Sequence, residues 1–370
     1  MDLDFNEEQV LLRDTLRALC AEHVDGARLR AWESASCGFA GDLWCALAGL
    51  GVTGLRVPEA YGGSGLGLLE TTIVHEELGR VLAPTPHAVG CVQAVRLIAR
   101  MGAGAQQSAW LSGIASGREI LIPAWRERGR SADLSALTLR GTKDGGRIRL
   151  NGEKTLVPFA ASATGFLVLA QLGSEHLLVH VPANSEGLAL RTQPNHAGQA
   201  LGHLQFDGVE VPEDALLACE ALAGAWRDAT AETLVALAAE SIGGAARLLE
   251  ITLAHVRSRE QFGQPLGAFQ SVAHALADAA TELEGARYLV YQAAWAADAG
   301  KPFQRLALMA KLQAGSVFRR VSWKAVQFHG GIGFSLDADP QLYYRRAKHQ
   351  QLMGWEPAWL EEQIAREVFG

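Results

Sequence analysis

Cysteine is scarce. Only Cys20, Cys37, Cys45, Cys91 and Cys219 occur in 370 residues, and no two are spaced as Cys-x-x-Cys. That speaks against a disulfide framework and a zinc site and suits a reducing compartment, so no metal is expected. Long apolar runs are missing too: none approaches the ~18 residues of a membrane span. The opening MDLDFNEEQV is acidic and lacks the apolar stretch of a signal peptide. A cytoplasmic protein without a membrane segment is expected. Neither charge dominates, with 33 basic and 40 acidic residues and a formal net charge of −7, which argues against a nucleic-acid surface. Hydrophobic residues make up 49% and charged residues 20%, enough for a sizeable core and too little charge for disorder. The length suits two or three domains.

Patterning divides the chain in three. In NEEQVLLRDTLRALCAEHV (6–24), Asn6 and Gln9 form a capping-box variant ahead of Leu11, Leu12, Leu16 and Leu19 at helical spacing. Further helical runs are predicted at 40–51, 68–83, 88–102 and 105–116. From about residue 118, short β-prone runs alternate with Gly, Asn, Asp and Pro, which predicts an antiparallel barrel or sandwich. From about 219 the pattern is helical again, at 220–258, 269–299, 303–329 and 341–368, as expected of an antiparallel bundle. The expected fold is mainly α with a β-domain in the middle: helices over 1–117, a β-barrel over 118–218, and a four-helix bundle over 219–370.

Two glycine-containing turns carry candidate chemistry. SREQFGQPLGAFQ (258–270) offers the forked donors of Arg259, the amides of Gln261 and Gln270, and the flat rings of Phe262 and Phe269, with Gly263 and Pro265 turning the backbone. These would suit a ligand bearing phosphates and rings; an ordinary turn with a solvated arginine accounts for the same residue types. VQFHGGIGF (326–334) places Gly330, Gly331 and Gly333 where backbone N–H groups can meet a ligand, beside Gln327. A glycine helix cap is the plainer explanation. GGSGLG (62–67) lacks both the glycine spacing and the βαβ setting of a dinucleotide fingerprint and is rejected.

Taken together, the two turns closely resemble those of the acyl-CoA dehydrogenase family of flavoproteins. VPEAYGGSGLGLLETTIVHEELGRVLAPTP is similar to that family's N-terminal domain, and LQFDGVEVPEDALL to the exit from its middle β-domain. The resemblance implies the helix–β–helix architecture and an FAD cofactor. It assigns to FAD Arg259, Gln261, Phe262, Leu266, Phe269, Gln270, Gln327, Gly330 and Gly331, with the arginine on the pyrophosphate across a dimer interface. It also implies α,β-dehydrogenation of an acyl thioester, on CoA or a carrier protein. A carboxylate takes the α-proton, hydride passes to flavin N5, and electrons leave to an electron-transfer flavoprotein. Hydrogen bonds to the thioester carbonyl stabilise the enolate, and desolvation raises the base's pKa.

The pattern departs from the family at the base. Counting through RRAKHQQLMGWEP places Gly354 where the usual glutamate stands, and the alternative position on the first bundle helix holds Thr233, followed by Leu234. Glu240, the one carboxylate in the apolar-rich LVALAAESIGGAARLL, is the catalytic candidate; a structural ion pair with Arg287 or Arg247 is the competing reading. Glu356 is a weaker candidate. PAWRERGRSADLS replaces the family's Thr-Glu-Pro-Gly-x-Gly-Ser-Asp loop, and TLVPFAAS, with Leu156 and Pro158, replaces its Trp-x-Thr flavin contact. These losses resemble the bacterial subfamily that often assembles as α2β2 heterotetramers. The expected protein is thus a dehydrogenase subunit in a homo- or hetero-oligomer. A base-lacking partner subunit, a flavin oxidase or monooxygenase on the same scaffold, and a flavin-free structural partner remain open.

Overall fold

Asn6 opens the first helix as its spacing predicts: its side chain accepts from the Gln9 N–H at 2.8 Å, and the Gln9 side chain accepts from the Asn6 N–H at 3.1 Å. The structure, a computed structural model, describes residues 4–35, 38–129, 137–218, 222–353 and 355–369. The helices are α1 (Glu7–His23), α2 (Gly26–Ser34), α3 (Gly41–Gly49), α4 (Leu68–Arg80), α5 (Ala94–Met101), α6 (Gly104–Ala115), α7 (Leu222–Ser258), α8 (Gln270–Asp298), α9 (Gln304–His329), α10 (Pro340–Leu352) and α11 (Pro357–Phe369). The β-strands between α6 and α7 make the protein mainly α with a β-domain in the middle. No helix among the described residues is long and apolar enough to cross a membrane.

The chain packs into two units. The first combines Met1–Leu29, Gly67–Ala83 and Leu234–Gly370; the second combines Arg30–Leu66 and Pro84–Thr233. They divide the chain differently from the three consecutive stretches read from patterning, because both draw helices from 1–117 and from the 219–370 run.

In the first unit, α9 packs against α8, α10 and α11. The buried residues of α8 include Leu276, Ala279, Leu283, Ala286, Val290 and Ala293, and those of α9 include Ala307, Ala310, Ala314, Val317 and Val321. Both sets alternate steps of three and four, the repeat that keeps one seam facing a neighbouring helix. The many alanines let the backbones approach closely. The single run expected over 341–368 is two helices: Pro357 lacks an N–H and forces the residue before it out of helical geometry, so it begins α11 instead of continuing α10.

The second unit holds a sheet of β1 (Leu121–Ala124), β2 (Arg140–Asp144), β3 (Arg147–Pro158), β4 (Gly165–Leu172), β5 (Glu175–Pro182), β6 (Leu188–Thr192), β7 (Leu201–Pro212) and β8 (Leu216–Leu217). Its order is β6-β7-β3-β2-β4-β5-β8, with β1 also paired to β4. It is mixed, which corrects the antiparallel expectation: β1 runs parallel to one end of β4 and β2 parallel to the other. Pairing direction is not written in alternation, which both ladder types share. Phe166–Ala170 of β4 are buried without alternation, as in a strand covered on both faces. Leu222, Ala225, Trp226 and Ala229 from the start of α7 join that core.

Candidate functional site

Arg259 follows the last turn of α7. Its N–H donates to the His255 carbonyl at 2.9 Å and its carbonyl accepts from Leu266 N–H at 2.8 Å, closing a loop around the shortest of hairpins, Glu260–Gln261 against Gln264–Pro265. The two turning residues are Phe262 and Gly263, with φ of 55° and 82°. Two successive positive φ values suit the right-handed twist of a hairpin, but the first position normally takes Asn, Asp or Gly. A phenylalanine there costs roughly 1–3 kcal/mol. It is also 91% exposed, with Phe269 set edge-on at 6.2 Å. A strained aromatic held into solvent points to a recognition role over a packing one.

The second turn ends α9. Gly330 has φ 64° and ψ −141°, a conformation essentially reserved for glycine, and a side chain built on Gly330 or Gly331 would meet nothing within 4 Å. Gly333 differs: a side chain there would strike the Val326 carbonyl at 2.8 Å, so its smallness serves the helix end. Ile332 and Phe334 are 59% and 70% exposed.

Two histidines join the turns. His255 and His329 stack with centroids 4.2 Å apart and planes inclined by 22°. The His329 Nδ1–H donates to the Ala325 carbonyl at 2.8 Å, and the His255 ring bonds the Phe328 backbone. Burial lowers the pKa of His255 below its ordinary value, and the positive potentials of His329 and Arg259 act in the same direction. Arg259 itself makes no side-chain hydrogen bond or ion pair among the described residues. Gln270 opens α8 and, like Gln327, is exposed, whereas the Gln261 amide turns back to the Glu260 carbonyl at 2.8 Å. Leu266 and Phe269 are half-buried. An uncommitted guanidinium, open glycine backbone and exposed rings fit a ligand of phosphates and flat rings such as FAD. The sequence reading missed His255, although a histidine one turn before Arg259 and another inside QFHGG were visible.

Glu240 sits in a different cluster of the first unit. Oε1 lies 2.8 Å from His75 Nδ1, and Oε2 accepts from Gln350 Nε2 at 2.8 Å. The adjoining cavity measures about 10 Å³, room for one water and not for an acyl thioester. With both oxygens committed, Glu240 has the surroundings of a structural carboxylate. The ion pairs weighed for it are corrected: Arg287 bonds Glu76 and Glu284, and Arg247 bonds Glu250. Arg287, Arg17 and Arg80 line a cavity of about 330 Å³ together with Glu76, Glu77 and Glu250, their own ion-pair partners. Thr233 is buried and donates to the Ala229 carbonyl at 2.7 Å. Glu356 is exposed just before α11, and Gly354 lies outside the described residues.

Lys311 is the cost of that cluster. Fully buried, its Nζ donates to the Gln350 carbonyl at 2.6 Å, and burial pulls its pKa down to about 8 against the opposing pull of Glu240. Between pH 8 and the ordinary lysine value of ~10.4, the folded chain has released a proton that the unfolded chain keeps. Stability from this group therefore rises with pH across that window, by at most ~1.4 kcal/mol per pH unit. Urea midpoints of wild type and Lys311→Met at pH 8, 9 and 10 are expected to converge as pH rises, the wild type gaining on the variant. A difference that stays constant would show that Lys311 keeps its proton.

In the second unit, the described part of the loop after β1 is pinned from below. Glu127 accepts from Lys154 Nζ at 2.7 Å, from the Thr138 N–H at 2.6 Å and hydroxyl at 2.5 Å, and from the Leu139 N–H at 3.0 Å. Lys154 is fully buried and Glu127 4% exposed. Above the pair, Trp125 meets Trp226 edge-on at 6.2 Å. β3 bulges between Lys154 and Val157, and Leu156 and Phe159 take left-handed φ of 54° and 52°.

Comparison with known proteins identifies the family. Residues 6–118 match the family profile described as acyl-CoA dehydrogenase, N-terminal domain, and residues 227–369 that of the C-terminal domain. The human mitochondrial short-chain specific acyl-CoA dehydrogenase is 30% identical over 318 residues, 82% of this chain and 76% of its own. This chain belongs to the acyl-CoA dehydrogenase family. Members of the family named as acyl-CoA dehydrogenases are oxidoreductases acting on CH–CH bonds, and that general activity is the one this chain shares. Acyl-CoA dehydrogenase FadE27 of Mycobacterium tuberculosis (strain ATCC 25618 / H37Rv) is also 30% identical, over 84% of this chain and 83% of its own. Among solved structures, the ChsE4-ChsE5 complex from Mycobacterium tuberculosis superposes with a TM-score of 0.91 at 27% identity, covering 100% of this chain and 99% of that one.

Proposed function

We propose that the chain is one subunit of a heteromeric FAD-dependent acyl-CoA dehydrogenase, supplying a clamp for the cofactor and relying on a related chain for the catalytic base. The observation that carries this is the uncommitted Arg259 guanidinium on a turn that the His255–His329 stack joins to the helix end bearing the open Gly330–Gly331 backbone. Arg259 would grip the diphosphate, Gln270 and Gln327 would donate to or accept from the nucleotide, and Phe262, Leu266 and Phe269 would cover its rings. Bound there, FAD would supply the two-electron acceptor for dehydrogenation between the α and β carbons of an acyl thioester. This chain's own residues bind and orient; Glu240, bonded to His75 and Gln350, holds helices together in place of taking a proton. The ChsE4-ChsE5 relative is described as a complex of two named chains, which supports a heteromer. The substrate would be a CoA or carrier-protein thioester, and the electrons would pass to an electron-transfer flavoprotein.

The test is to purify the chain alone and together with its co-encoded neighbours, then to measure bound FAD and acyl-CoA-dependent dye reduction. Turnover is expected only from the mixed assembly, with Glu240→Gln keeping most of it, since an amide still accepts from one partner. Full turnover by the isolated chain, abolished by Glu240→Gln in a protein that still folds, would return Glu240 to the role of base.

A further inference from the structure

We infer that His255 and His329 form a latch that fixes the two cofactor-binding turns in one frame and takes up a proton when an anionic ligand occupies Arg259, a reading that rests on the FAD clamp proposed above. The geometry comes first. α7 and α9 both end at this point, and each gives a histidine from its last turn. The rings overlap at 4.2 Å, and the His255 ring reaches the Phe328 backbone, two residues ahead of Gly330. The backbone of His255 in turn holds Arg259, through the bond from the Arg259 N–H to its carbonyl at 2.9 Å. One residue thus touches both turns, by its carbonyl on one side and its ring on the other.

The electrostatics follow from the same arrangement. The charged groups acting on His255 are His329 from the end of α9 and Arg259 from the turn; α8 contributes none, and no carboxylate is among them. Partial burial and these neighbours disfavour the charged form of the His255 imidazole in the free chain. A diphosphate on Arg259 brings two negative charges beside it and cancels the guanidinium's field. The imidazole then accepts a proton more readily in the bound state than in the free one. Protonation and binding consequently favour each other, and affinity rises as pH falls from 8 to 6. A shift of one pKa unit on binding corresponds to about a tenfold gain in affinity once pH lies below both values.

FAD is titrated into the apo form of the assembled protein by calorimetry between pH 6 and 8, in buffers of different ionisation enthalpy. Wild type is expected to take up a fraction of a proton and to bind ~3–10-fold tighter at pH 6 than at pH 8. His255→Phe keeps a ring for stacking but can neither bond Phe328 nor accept a proton, so proton uptake and the pH slope should vanish and affinity should fall at every pH. His255→Asn keeps a donor for Phe328 and should recover part of the affinity without recovering the slope. A merely structural histidine would lower the melting temperature of these variants and leave proton uptake intact; that outcome, or a wild type that binds FAD without any pH slope, overturns the latch while sparing the clamp. Failure of wild type to bind FAD at any pH overturns the clamp itself, and the latch with it.

Discussion

Arg259→Ala is expected to cost the assembled protein its FAD, with affinity falling about 100-fold. The estimate rests on one or two hydrogen bonds to a charged group, each contributing about 1.5–3 kcal/mol, and tenfold in affinity is about 1.4 kcal/mol. The fold itself should be indifferent, because the Arg259 side chain has no partner of its own among the described residues and the hairpin is closed by backbone bonds. The measurement is flavin absorbance after gel filtration, followed by calorimetric titration. Arg259→Lys should fall between the two, since it restores the charge without the fork that grips two oxygens at once. A yellow protein of unchanged assembly state after Arg259→Ala would remove the clamp.

The largest effect on stability is expected in the second unit, from Glu127→Ala. Among the described residues it would leave the fully buried Lys154 ammonium only the Trp125 carbonyl, 3.3 Å away, and would strand the Thr138 and Leu139 donors. Removing one partner of a buried ion pair costs about 3–5 kcal/mol, a large share of the stability of an ordinary domain. Burial already draws Lys154 down to about pH 8 against the attraction of Glu127, so without the carboxylate the lysine should titrate lower still. Denaturant midpoints measure the loss. The double variant Glu127→Leu with Lys154→Met should recover much of it, because replacing both charges by apolar groups removes the desolvation cost along with the attraction. If Glu127→Ala alone is neutral, the pair is solvated and the hold of residue 127 on residues 138 and 139 has another source.

Local signals were readable to different depths. The Asn6–Gln9 capping box and the helical runs of α8 and α9 were legible because every interaction that defines them lies within four residues. Gly330 was legible as a special backbone position, since only glycine takes its φ and ψ without strain. Phe262 was noted as a ring and not as a turning residue; nothing local suggests that a phenylalanine will occupy a left-handed position. α2 was missed because a nine-residue helix with one buried residue, Leu29, leaves almost no periodic trace. Glu240 was recognised as a carboxylate that needed partners, yet the partners proposed were arginines close in sequence or on the next helix. The actual ones, His75 and Gln350, lie 165 and 110 residues away.

By itself the sequence determined which segments coil, where they stop, which glycines free the backbone and that an arginine stands in a tight turn between two long helices. These follow from bond geometry, steric exclusion and spacing along the chain. Tertiary structure alone decided that β1 and β2 both run parallel to β4, that Lys154 is buried against Glu127, that Glu240 meets His75 and Gln350, and that two histidines 74 residues apart stack at the ends of α7 and α9. Each of these is a meeting of residues distant in the chain. Its energy depends on the neighbours that exclude water there, and residue types along a line do not record who those neighbours are.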